Sequence, residues 1–109
     1  MPQPKTLTKV SDLDNVPFPP GRVSKQVFDD GEVELRLFPP KGVDNQRPHD
    51  RDELYFVISG TSRFFRAGET VTCNPGDVLF VAAHEEHRFL DFSSDFRVWV
   101  VFYGPVRPK

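Results

Sequence analysis

The chain has 109 residues, the size of one domain rather than two. Its formal net charge is -2, with 14 basic and 16 acidic residues in no strong clusters, so nucleic acid and anionic membrane are poor partners. No apolar run approaches the ~18 residues of a membrane span, and the single cysteine, Cys73, has no intrachain partner for a disulfide.

The N-terminus, Met1-Pro-Gln-Pro-Lys-Thr6, lacks the apolar stretch of a signal peptide. A soluble protein of a reducing compartment, the cytoplasm, is expected. Eleven prolines and seven glycines punctuate the chain, which argues against long helices. Eleven Phe against one Trp and two Tyr make a phenylalanine-heavy core.

Residues 1–22 read as an irregular segment. Ser11-Asp-Leu-Asp14 can start one helical turn, which Pro17, Pro19 and Pro20 stop. A short strand, Ser24 to Phe28, leads into the tight-turn signal Asp29-Asp-Gly31. Glu32 to Phe38 then alternates strictly. Val33, Leu35 and Leu37 share one face, Glu32, Glu34 and Arg36 the other, so this strand has one wet side. Gly42 to Asp52 is a polar loop. Leu54 to Ser59 is apolar on both faces, as in a strand covered on two sides. Shorter strands follow at Ser62–Arg66, Glu69–Cys73 and Val78–Ala82, with turns at Gly60, Gly68 and Asn74-Pro-Gly-Asp77. His87 to Phe92 and Phe96 to Tyr103 complete the set, and a basic tail, 105–109, is expected to be loose. About nine short strands and no convincing helix argue for an all-β sandwich or barrel spanning 23–104.

Two segments carry chemistry. His49 lies in the polar loop, with three residues between it and Glu53 at the mouth of a strand, and His87 opens a later strand. Two imidazoles and one carboxylate on strand ends form a facial ligand set that leaves positions open for substrate, oxygen or water. Imidazole and carboxylate suit Fe, Mn, Ni, Co or Zn. Without a partner, an inward Glu53 would be costly. By alternation Tyr55 and Val57 share its face, as Phe89 and Asp91 share that of His87. Inward faces would therefore make an aromatic pocket with a carboxylate at its inner end. Arg36, Arg63 and Arg97 read as solvated or cross-strand partners, Trp99 and Tyr103 as core or subunit interface, and Cys73 as a small buried hydrophobe.

These residues resemble the two motifs of the cupins. Gly42, His49, Glu53 and Gly60 fall on the first motif, with six residues between Glu53 and Gly60. Gly76 and His87 fall on the second, and 15 residues separate Gly60 from Gly76. The resemblance covers roughly residues 30–103 and implies a single-domain cupin-type β-barrel, a double-stranded β-helix or jelly roll. It carries three metal ligands onto this chain, His49, Glu53 and His87. The departures are Arg47 at the first His position, Ala82 and His84 at the Pro and Gly of the second motif, and Asp91 at its Asn. Four residues, not five, separate Gly42 from Arg47. An arginine cannot ligate, so the site is either a three-ligand metal centre or one that has lost its metal. Arg47 would weaken a metal by like-charge repulsion, or hold a substrate carboxylate or phosphate bidentately beside Tyr55 and Phe89, or be paired and drawn away by Asp50 or Asp52. His84 and Gln46 are the candidate substitutes for the missing ligand.

What the resemblance implies is a small cupin that binds a divalent first-row metal and acts on, or binds, a small anionic molecule. In its enzymatic form it would be an oxygenase, isomerase or lyase. The alternative is a metal-free or non-catalytic ligand-binding cupin. A homodimer is expected, because two strands are apolar on both faces and a lone small barrel would leave one face wet, with the N-terminal segment at the interface.

Overall fold

The computed structural model describes residues 3–109. One 3-10 turn, Val10–Leu13, precedes eight strands: β1 Lys25–Asp29, β2 Val33–Phe38, β3 Asp52–Ser59, β4 Ser62–Arg66, β5 Glu69–Cys73, β6 Val78–Val81, β7 His87–Leu90 and β8 Arg97–Tyr103. They form a five-stranded sheet, β1-β2-β8-β3-β6, and a three-stranded sheet, β5-β4-β7. Every pairing is antiparallel. The sheets share one core, so the molecule is the all-β jelly-roll barrel expected from the sequence. Tyr55, Val57, Val81, Val98 and Val100 from the larger sheet pack with Phe64, Cys73 and Phe89 from the smaller. Phe64 and Phe89 lie 4.7 Å apart and Tyr55 and Phe89 5.0 Å apart, between ring centroids. Such aromatic pairs add about 0.5–1.5 kcal/mol each beyond burial. No helix among the described residues is long and apolar enough to cross a membrane.

The turns follow their local chemistry. At the β1–β2 hairpin Asp29 accepts from the Gly31 N–H, and Asp30 accepts from Glu32 and Val33. Those backbone donors, Val33 first, hold the Asp30 carboxyl below its usual range. The β3–β4 turn requires glycine. Gly60 has φ of +75°, and a Cβ there would meet backbone atoms of Phe96 at 2.7 Å.

The alternation of β2 does not end with its polar side in bulk water. Glu34 pairs with Phe102, Arg36 with Val100 and Phe38 with Val98. Val98 and Val100 are buried in the barrel, so Glu34 and Arg36 turn inward and Leu35 and Leu37 outward. The reason is a second apolar cover. Leu7 and Thr8 lie beside Leu35, Trp99 and Val101 on the outside of the sheet. The 3-10 turn is held there too, with Lys25 Nζ donating to the Leu13 carbonyl at 2.8 Å.

The tail, expected to be loose, is tied at Arg107. Its N–H donates to the Asp50 carbonyl at 2.7 Å, its guanidinium to Asp52 Oδ2 at 3.0 Å, and its carbonyl accepts from His84 Nε2 at 2.7 Å.

Candidate metal centre

Three elements converge at one end of the barrel. The loop before β3 supplies His49, the start of β3 supplies Glu53 and the start of β7 supplies His87. Glu53 is locked inward by its register, opposite Val81 of β6 and Phe102 of β8. The backbone N–H of His84 donates to the His49 carbonyl at 2.7 Å, tying the β6–β7 connection to the His49 loop. One ligand atom from each of His49, Glu53 and His87 lies within 4.8 Å of the others. Glu53 and His87 are fully buried, while 35% of the His49 side chain is exposed.

The contacts within this trio are short but misdirected. His87 Nε2 is 2.7 Å from Glu53 Oε1, and His49 Nδ1 is 3.1 Å from Glu53 Oε2. Yet His49 Nδ1, Glu53 Oε2 and His87 Nε2 have no hydrogen bond of acceptable direction among the described residues. On its other side, His87 Nδ1 is 2.8 Å from the Glu85 carbonyl. A carbonyl only accepts, so Nδ1 carries the proton and the neutral ring presents a bare lone pair to Glu53. Two acceptors at 2.7 Å need a cation between them. That cation is either a proton or a metal ion. Atoms that crowd together without aiming at one another are what a set of ligands around a common point looks like, so these residues fit a divalent metal.

Burial alone would raise the Glu53 pKa, but the two imidazoles of His49 and His87 beside the carboxylate outweigh it and bring it to about 2. Burial opposes a charged His87, but Glu53 outweighs it, so the His87 pKa is raised. Burial, then the Glu53 charge, pushes the Tyr55 hydroxyl well above its ordinary value.

Beside His49, the member of the trio that lines it, opens a cavity of about 340 Å³, lined among others by Arg36, Gln46, Tyr55 and Phe102. Tyr55 is buried at its base. Its hydroxyl lies 2.8 Å from Glu53 Oε1 and 3.2 Å from Gln46 Oε1. With one proton to give, it donates to the closer, charged oxygen, which leaves Gln46 Oε1 with acceptor capacity to spare. Asp44 fixes that amide. Its Oδ2 accepts from Gln46 Nε2 at 2.7 Å and from the Phe89 N–H at 2.8 Å.

The other candidates take different places. Arg47 is exposed and does not line the cavity. Phe89 packs in the core, against Tyr55, Phe64 and Phe96. His84 has a left-handed φ of 69°, as suits a turn position, and its ring is bonded to the Arg107 carbonyl, away from the trio. Gln46 reaches the cavity. Asp91 is no inner carboxylate: β7 ends at Leu90, a φ of 51° turns the residue outward, and it pairs with Arg63 on the surface. Besides Glu53, the buried carboxylate among the described residues is Asp44. Its only sequence signal was its place two residues before Gln46, a spacing at which a carboxylate bonds back to the chain. Arg36 and Glu34 were legible as one face of a strand, but alternation does not say which face is inside.

The Cupin domain family model matches residues 34–102. An uncharacterized protein of Streptomyces coelicolor is 44% identical over 62 residues, which span 57% of this chain and 59% of that protein. A cupin superfamily protein of Desulfitobacterium hafniense is similar in structure, with a TM-score of 0.67 and 19% identity, over 96% of this chain and 95% of its own. The DMSP lyase DddQ of Ruegeria pomeroyi gives a TM-score of 0.66 and 18% identity, over 79% of this chain and 48% of its own. With both motifs placed on one barrel and the family model spanning most of the strands, this chain belongs to the cupin family.

Proposed function

We propose that the protein binds one divalent first-row metal ion through His49, Glu53 and His87 and holds a small anionic molecule against it. The observation that carries this is the bare His87 Nε2 facing Glu53 Oε1 at 2.7 Å, with its tautomer set by Glu85. Two imidazoles and a carboxylate suit Fe, Mn, Ni, Co or Zn. A metal held there would supply Lewis acidity toward an oxygen of the bound molecule. Around it, Tyr55 keeps its proton and orients Glu53, Gln46 Oε1 accepts from the molecule, and Phe102 walls one side. Oxygenase, isomerase and lyase chemistries all use such a centre. Turnover against a panel of small organic acids decides between an enzyme and a binding module.

The test of the metal is elemental analysis of protein purified without chelator or His tag, followed by titration with each of the five metals. About one metal per chain, lost in His49→Ala and His87→Ala, is the expected result. A clean apo protein that takes up none of them overturns the proposal. The second reading is a metal-free ligand-binding cupin, in which a proton on His87 satisfies Glu53. It is favoured by the same short contact, and it requires that ligand binding survive exhaustive chelation.

The outer face of the larger sheet supports a homodimer. Phe56 is 36% exposed, Phe80 43% and Val78 54%. They are neighbours across the β3–β6 pairing, beside Trp99 and the N-terminal segment. A second copy of the chain would cover this patch. The cytoplasm is the setting we assign, where the single buried thiol of Cys73 stays reduced.

A further inference from the structure

We propose that Arg36 reads the carboxylate of the ligand, and that the ligand is a short organic acid lying between Arg36 and the His49-Glu53-His87 trio. The metal end of this placement rests on the function proposed above; the carboxylate end rests on Arg36 alone.

Arg36 is 6% exposed and lines the cavity from β2. Its cross-strand neighbour is Val100, which in turn faces Tyr55. Arg36 and Tyr55 thus stand two strands apart, on the order of 10 Å between backbones, and both side chains reach inward over that gap. The guanidinium is held from one side. Nε donates to Ser24 Oγ at 2.6 Å, one terminal nitrogen to the Ser24 carbonyl at 3.1 Å, and the other to Glu34 Oε2 at 2.7 Å. An arginine has five N–H donors. The remaining N–H on each terminal nitrogen has no acceptor among the described residues. Two N–H groups on a fixed plane are what a carboxylate takes bidentately.

Stability does not account for a charge at this position. A buried ion pair gives little or nothing over apolar residues of the same volume, and Phe38 and Val100 show that the same wall accepts them. The wall is also cationic beyond this pair. Arg22 and Arg51 line it as well, against Asp50 alone. Arg51 spends its donors on the backbone carbonyls of Gly104 and Glu32 rather than on a carboxylate. Glu34 Oε2 also accepts from Gln26 Nε2 at 3.0 Å. The cavity, about 340 Å³, is at the small end of the range for ligand pockets. A short acid fits that space, with a donor hydrogen for Gln46 Oε1.

The experiment is calorimetric titration of lactate, malonate and succinate, and of the corresponding amides, into wild-type protein with and without bound Mn²⁺. At least one acid is expected to bind, its amide to bind about tenfold more weakly or worse, and Arg36→Met to weaken the acid by at least about tenfold. The Mn²⁺ affinity of Arg36→Met, titrated alone, is expected to stay unchanged. Acid and amide binding alike, an Arg36→Met protein that keeps its acid affinity, or no acid binding at all would each overturn the proposal. If Arg36→Met does not fold, Arg36→Lys is read instead. It keeps the charge and loses the fork, so several-fold weaker acid binding is expected, and wild-type affinity overturns the assignment. Mn²⁺ binding without acid binding removes this inference and leaves the metal site standing. Acid binding that depends on Arg36 in protein that takes no metal does the reverse.

Discussion

His87 Nε2 lies 2.7 Å from Glu53 Oε1, and in the neutral ring neither atom has a proton to offer the other, because the ring proton sits on Nδ1 and is donated in a hydrogen bond to the Glu85 carbonyl. A proton or a metal ion would relieve that contact. In metal-free protein that cation is a proton, and its presence ties stability to pH. The His87 pKa is raised in the folded state, chiefly because Glu53 outweighs burial. A raised pKa means that the folded state holds the proton more tightly than the unfolded chain does. The stabilisation is complete below the ordinary histidine value of 6.5 and is lost as pH rises through the folded pKa above it. Metal-free protein is therefore expected to melt at a lower temperature at pH 9 than at pH 6, and saturating Zn²⁺ to remove most of that difference. Thermal unfolding with and without chelator measures both, and a flat profile for the metal-free protein would show that His87 holds no linked proton.

Glu53 adds the opposite limb. Its pKa is lowered to about 2 by the two histidines against the pull of burial. Its contribution is present above the ordinary carboxylate value of 4.5 and fades as pH falls toward 2. Glu53→Gln is expected to abolish metal uptake and to flatten the pH dependence on both limbs. The same titration, run from pH 3 to 9, tests it.

Arg47 occupies the position at which the family's first motif places a histidine, yet its side chain is exposed. Arg47→His is expected to change metal affinity by less than about twofold, well short of the ~10–100-fold that even an outer-shell partner commands. A large gain in affinity would show that position 47 reaches the ion after all.

Gly60 is a fold determinant at the edge of the same motif. Gly60→Ala forces a left-handed backbone on a residue with a side chain and drives its Cβ into Phe96. A loss of at least about 2 kcal/mol is expected, or roughly 8 °C or more in melting temperature for a chain of this size. Gly42→Ala meets no neighbouring atom and serves as the control, with only the left-handed strain.

On the outer face, Phe56→Glu together with Phe80→Glu is expected to turn a dimer into a monomer without loss of metal binding. Sedimentation equilibrium of both proteins measures this. A wild-type monomer at high micromolar concentration would refute the dimer.

By itself, the sequence determined the class of fold and the identity of the trio. Period-two alternation and closely spaced turns admit only short strands, and the spacings around His49, Glu53, Gly60, Gly76 and His87 match one family's motifs. What only the tertiary structure decided was which face of each strand points inward, because alternation is symmetric until a partner sheet chooses a side. That choice put Arg36 and Glu34 inside the barrel and Leu35 outside, beneath the N-terminal segment. It also turned Asp91 out, brought Asp44 in and left Arg47 in water. The loop around His49 and the start of β3 thus supply two of the trio, while Arg36, which lines the cavity, comes from a strand whose alternation had marked its polar face for solvent.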